Sequence, residues 1–327
     1  MIKHSTAKNW LPAAIAIAAV FTCATSLAGG APQQAQKKQE SKAAQINQAP
    51  ATSSAATYVG ADTCKTCHDD IGKTFDQNPH WKTTLNKRAG EAKQGCEGCH
   101  GPGSEHASSG GQTPIPFDFT KMTAKQVSSR CLDCHATGAT AQEQMNFEHS
   151  VHAENSVSCL DCHSVHHSPD TRFLLIKEQP QLCYGCHRDK QAQFNMPWHH
   201  KVNEGLVRCT DCHNPHGSFI QKQLRTASAQ DAVCFTCHED KQGPFVFEHA
   251  PVKAEGCASC HIPHGSPNPH LLRYANVNQL CLQCHTTSSF SAAPGTPSFH
   301  NQATQFQACT LCHTQIHGSN FDRDFFK

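Results

Sequence analysis

Twenty of the twenty-one cysteines in this chain fall into ten Cys-x-x-Cys pairs, each followed directly by a histidine. The first five triplets are Cys64, Cys67 and His68; Cys96, Cys99 and His100; Cys131, Cys134 and His135; Cys159, Cys162 and His163; Cys183, Cys186 and His187. The other five are Cys209, Cys212 and His213; Cys234, Cys237 and His238; Cys257, Cys260 and His261; Cys281, Cys284 and His285; Cys309, Cys312 and His313. Two thiols at this spacing add across the two vinyl groups of one heme, and the adjacent imidazole then lies under the iron. The spelling is the attachment site of c-type heme. Zinc needs two such pairs per metal, or a pair plus two spaced histidines, and has no use for a histidine after every second cysteine. A disulfide framework would not repeat a four-residue loop ten times. With 25 histidines in 327 residues, ten pairs followed by ten histidines is not coincidence. The chain reads as a ten-heme cytochrome whose chemistry is one-electron transfer.

The other histidines repeat too. Taking the motifs two at a time, a histidine follows each odd motif by eleven to seventeen residues: His80, His152, His200, His249 and His300. One follows each even motif by three to six residues: His106, His166, His216, His264 and His317. Ten distal candidates thus stand against ten irons, which predicts bis-histidine, six-coordinate iron throughout. His149, His167, His199 and His270 are left over, and the first three neighbour a chosen ligand closely enough to replace it. Methionine ligation would raise the potential, but few methionines exist to supply it. The spacing does not say which distal ring faces which iron.

The elements that position these groups read as five diheme repeats, at 64–106, 131–166, 183–216, 234–264 and 281–317. Helix-start signals precede the odd motifs: Asp62, Thr123 with Gln126, Pro180, Ser228 with Asp231, and Asn276 with Gln279. Each odd motif is therefore expected on a short helix. Even motifs follow loop-like or extended approaches, and His216 and His264 end Asn-Pro-His and Ile-Pro-His turns, where proline fixes the backbone and aims the ring.

Composition agrees. From Tyr58 to Lys327 there are about 27 residues per heme, and hydrophobic residues make up 37% of the chain. A chain of this length would ordinarily bury a large apolar core. Here the porphyrins must be the core. The expected fold is a multiheme cytochrome with little regular secondary structure: short α-helices and loops wrapped around a linear chain of ten hemes, elongated. The formal charge of +1 belongs to the polypeptide; ten hemes add roughly twenty propionates, which makes the loaded protein more acidic. No basic patch of the nucleic-acid-binding kind is present.

Residues 1–28 read as an export signal: Lys3, His4 and Lys8, an apolar stretch from Leu11 to Phe21, and a small-x-small site at Ser26-Leu27-Ala28. Cys23 would leave with it; lipidation at Cys23 is the rival reading. Residues 29–57, rich in Ala, Gln, Lys and Ser, read as a disordered linker, and 58–327 as the decaheme domain. Export suits c-type heme, which is attached outside the bacterial inner membrane.

Several segments carry a family likeness. They are Cys209-Thr-Asp-Cys-His-Asn-Pro-His-Gly-Ser218, Glu248-His249-Ala250-Pro251-Val252, Cys257-Ala-Ser-Cys-His-Ile-Pro-His-Gly-Ser266, Leu280-Cys281-Leu-Gln-Cys-His285 and Thr314-Gln-Ile-His-Gly-Ser-Asn320. Through them the chain resembles the MtrA/DmsE-type periplasmic decaheme cytochromes over about residues 58–320. The Gln/Ala-rich segment at 29–57 and the stretch between His285 and Cys309 depart from that pattern. The resemblance implies an electron wire inserted into an outer-membrane β-barrel porin. It would link a periplasmic or inner-membrane cytochrome donor to an extracellular multiheme cytochrome or reductase. A soluble periplasmic shuttle is the alternative. A multiheme reductase would need an iron with an open position, and the histidine count leaves none, so an electron carrier rather than an enzyme is expected.

Overall fold

The computed structural model describes residues 56–136, 146–225, 231–285 and 308–326. The export signal, Cys23, nearly all of the 29–57 segment, Ser228 and His300 lie outside the described residues. Residues 53–327 form one compact unit. Its regular structure is short α-helices and single 3-10 turns, and no strand longer than an isolated bridge occurs among the described residues. The expected short helices and irregular chain are what the described residues show.

The odd motifs do lie on helices. Ala61–Lys65 carries Cys64, Ala124–His135 carries the third motif whole, and Gln181–Tyr184, Ala232–Phe235 and Val277–Cys281 each carry a leading cysteine. Among the anticipated caps, one closes as a capping box: Thr123 Oγ1 accepts from Gln126 N, and Gln126 Oε1 accepts from Thr123 N at 2.8 Å. Asp62 lies inside its helix, which Gly60 caps with φ +84°. Asp231 sits at the cap position but spends its carboxylate elsewhere, accepting from Cys257 N at 3.0 Å. The even motifs occupy single turns, at Glu97–His100, Cys159–Asp161, Cys209–Cys212, Cys257–Ser259 and Cys309–Leu311.

Very little apolar side chain is buried. Among the described residues, Phe75, Val127, Phe147, Leu174, Tyr184, Phe194, Val202 and Val233 are the buried hydrophobic ones, and of these Tyr184, Phe194 and Val202 form a cluster. Meanwhile Phe219, Phe321, Leu311 and Leu206 stand exposed. Eight side chains cannot hold a chain of this length together by apolar burial alone. The polar interior is organised instead. Glu97, 5% exposed, accepts from Gly60 N and Gly103 N at 2.8 Å each and from Val59 N at 3.0 Å. One carboxylate thereby ties the approach to the first motif onto the second. Thr57 exchanges two hydrogen bonds with Ser104, so ordered wrapping already includes Thr57.

Candidate heme sites

Within each repeat the two motifs meet at their leading cysteines. Cys64 lies beside Cys96, Cys131 beside Cys159, Cys183 beside Cys209, Cys234 beside Cys257 and Cys281 beside Cys309. The short odd-motif helix and the even-motif turn bring these sulfurs together. Two attachment points per repeat are thus side by side, which fits the reading of paired motifs.

The histidines do not close within the same repeats. Each motif histidine from the first to the ninth motif faces a distal ring, with centroids 5.9–6.3 Å apart. Only the first such contact, His68 with His106, stays inside a repeat. The odd motifs take a ring from the repeat before: His135 faces His80, His187 faces His152, His238 faces His200 and His285 faces His249. The even motifs take one from the repeat after: His100 faces His166, His163 faces His216, His213 faces His264 and His261 faces His317. Consecutive repeats are therefore cross-linked twice. Spacing in the sequence left open which ring faces which iron; tertiary packing pairs the rings across repeats. For His313 the anticipated partner, His300, lies outside the described residues.

The separation fits the group. Metal–imidazole bonds of about 2 Å on both sides, plus about 1 Å from each nitrogen to its ring centre, put two axial rings roughly 6 Å apart. Burial pushes His80, His100, His135, His166, His249 and His317 below the usual imidazole value, and His264 down to about 4. These rings are held neutral, the form that ligates. The leftover histidines do other things. His149, His167 and His270 are exposed. His199 is engaged at both nitrogens, with Met196 O at 2.5 Å and Glu204 Oε1 at 3.0 Å. It is His152, His166 and His200 that face a motif histidine. Trp198 stacks on His270.

What the sequence reading missed is how the rings are aimed. Every even-motif histidine donates Nδ1–H to a later backbone carbonyl. His100 reaches Phe117 O at 3.2 Å, His163 Phe173 O at 2.7 Å and His213 Lys222 O at 2.8 Å. His261 reaches His270 O at 2.8 Å and His313 Asp324 O at 2.5 Å. Such a bond fixes the tautomer and makes the other nitrogen a better donor. Four of these carbonyls lie on loops with left-handed residues, at Leu174, at Lys222 and Gln223, at His270 and Leu271, and at Phe325. Each such non-glycine residue costs on the order of 1 kcal/mol or more, a cost that clusters at functional sites. A signal was present: the acceptor lies two residues before Leu175, Leu224 and Leu272, each of which bridges the motif histidine.

Glycine explains the Pro-His-Gly-Ser spelling. A Cβ on Gly217 would lie 2.7 Å from Asn146 O, and one on Gly265 would lie 1.9 Å from Gln193 O. Both carbonyls belong to the stretch around the preceding repeat, so the backbone beside each distal histidine presses directly onto the neighbour whose iron that ring would serve.

Comparison with known proteins agrees with this chemistry. The description "Doubled CXXCH motif" matches residues 199–243 and 249–290, and "Cytochrome c-type protein NrfB-like" matches residues 96–175. The multiheme cytochrome MtrA of Shewanella baltica is 32% identical over 299 residues, spanning 88% of this chain and 85% of that protein. The C-type polyheme cytochrome OmcC of Geobacter sulfurreducens is 31% identical over 100 residues, which is 31% of this chain and 10% of that protein. Identity at that level along nearly the whole length of both chains, on top of facing imidazoles and paired cysteines, places this chain in the MtrA family of multiheme cytochromes, electron carriers with covalently bound heme c.

Proposed function

We propose that the chain carries ten hemes, one per motif, each iron held between two imidazoles, and that it conducts electrons across the outer membrane inside a β-barrel. The observation that carries this reading is the double cross-linking of consecutive repeats by facing histidines. It leaves no break in the series from His68 to His285. The tenth site takes His300 with His313. Each bound heme supplies one reversible electron at its iron. The chain's own residues do the rest. The cysteines would hold each heme, the neutral imidazoles would ligate its iron and leave no place for a substrate, and backbone carbonyls hold the even-motif imidazoles in one tautomer.

Physical chemistry supports the barrel, and so does the family resemblance. No helix among the described residues is long and apolar enough to cross a membrane. A backbone so rich in irregular loops cannot face lipid, where every polar group must be satisfied internally. A β-barrel with a polar lumen can enclose it. The partners are then an outer-membrane porin, a periplasmic or inner-membrane cytochrome donor, and an extracellular cytochrome or reductase. The N-terminal heme faces the periplasm and the Cys309–His313 heme the exterior. Residues 1–28 direct export, and 29–57 form a tether. The test is to purify the protein from membranes together with its barrel and place the pair in liposomes loaded with a reduced dye. External ferric citrate should oxidise the dye through the pair and not through the barrel alone. A protein that fractionates wholly as free periplasmic monomer and adds no current would establish the soluble shuttle instead.

A further inference from the structure

Four distal rings reach forward to the next repeat: His80, His152, His200 and His249. Three of them find the same kind of acceptor, the carbonyl just before the even-motif distal histidine of that next repeat. His152 Nδ1 meets Pro215 O at 2.9 Å, His200 Nδ1 meets Pro263 O at 2.6 Å, and His249 is bonded to the backbone of Ile316. For His80 the matching carbonyl is Val165 O, before His166. It is taken by another donor: Asn78 Nδ2 gives it a hydrogen bond at 2.6 Å. His80 Nδ1 is buried without a hydrogen-bond partner. Asn78 is itself buried and pinned at its other end, its Oδ1 accepting from His80 N at 2.8 Å. The same position, two residues before the distal histidine, holds Ser150, Trp198 and Phe247 in the following repeats, and there the carbonyl stays with the imidazole.

An imidazole that donates its far N–H to a carbonyl is the more basic ligand and favours ferric iron; one that does not is the weaker donor and leaves the iron easier to reduce. We propose that Asn78 is a positioning residue that raises the reduction potential of the heme carried by Cys131, Cys134 and His135, by occupying the carbonyl that His80 would otherwise use. The proposal rests on His80 being that iron's distal ligand. It makes the third heme a step in an otherwise repeating series.

The ring planes provide the readout. His80 and His135 cross at 73°, His152 and His187 at 69°, and His200 and His238 at 64°. The remaining described couples lie between 13° and 38°. Steeply crossed axial imidazoles give ferric heme a low-spin magnetic resonance signal distinct from that of near-parallel ones. In the full-length loaded protein, poised at stepped potentials, the crossed signal should disappear on reduction in two stages, one heme first, which is about one third of the signal of the described crossed couples. Asn78→Ser, which copies Ser150, and Asn78→Ala should each return that third to the potential of the rest. The expected change is about tenfold in its oxidised-to-reduced ratio at fixed potential, or about 59 mV for one electron. Having two variants guards against a folding defect in either. A first stage that is absent from the native protein, or that stays put in both variants, overturns the proposal. A high-spin signal in the native protein would instead overturn the ligand assignment beneath it.

Discussion

Glu97 occupies a variable position inside a Cys-x-x-Cys-His motif, yet its carboxylate gathers Val59 N, Gly60 N and Gly103 N. Hydrogen bonds to a charged acceptor contribute about 1.5–3 kcal/mol, and orphaned buried N–H groups cost a similar amount. Glu97→Ala should therefore speed amide exchange at Val59, Gly60 and Gly103 by about ten- to hundredfold while distant repeats keep their protection. Unchanged exchange at those three amides would contradict the role. His264 tests the histidine assignment at the same scale. It faces His213, of the repeat before, while His261, in its own repeat, faces His317. His264→Met should raise the potential of one heme. Deleting the attachment cysteines Cys209 and Cys212 should abolish that effect, and deleting Cys257 and Cys260 should not. The reverse result would return the ring to its own repeat.

At the scale of elements, helices and loops divide the work. The odd-motif helices present cysteines; the left-handed loops after the even motifs present carbonyls to His163, His213 and His261. The Pro-His-Gly-Ser turns press one repeat onto the one before. Gly265→Ala would drive a methyl group into Gln193 O. Overpacking of this kind costs about 1–3 kcal/mol. It should part His264 from His213 before it harms either motif, which shows as one perturbed low-spin signal with all hemes retained. Loss of hemes, or a native spectrum, would speak against that account. The capping box of Ala124–His135 is a simpler case. Thr123→Ala removes one cap, worth about 1 kcal/mol, and should lower the temperature at which the third heme's environment melts.

Over the whole molecule, the sparse apolar core means that the cofactors and their axial bonds must hold the repeats together. Two couples of facing rings join each repeat to the next, so under the proposed ligation stability is shared between neighbours rather than confined to single repeats. Two results are expected. The intact mass of the matured protein should exceed its polypeptide by ten hemes, and nine or fewer in a fully matured sample would defeat the count. Under the proposed bis-histidine ligation, the reduced protein should not bind carbon monoxide quickly. Fast binding would reveal an open iron and reopen the reductase reading.

The sequence by itself determined the chemistry. Cys-x-x-Cys-His is a local spelling, and covalent attachment needs nothing beyond five consecutive residues, so heme c, the repeats and the short helices could all be read along the chain. Thr123 with Gln126 was legible for the same reason, since a capping box spans four residues. Which ring faces which was decided only by tertiary structure. His213 and His264 are far apart in sequence, and nothing local to either separates His264 from the nearer His216. The carbonyls that aim the rings were equally out of sight, because a backbone oxygen carries no residue identity and its use depends on where the next repeat lies. The contest for Val165 O between Asn78 and His80 exists only once two repeats are packed together.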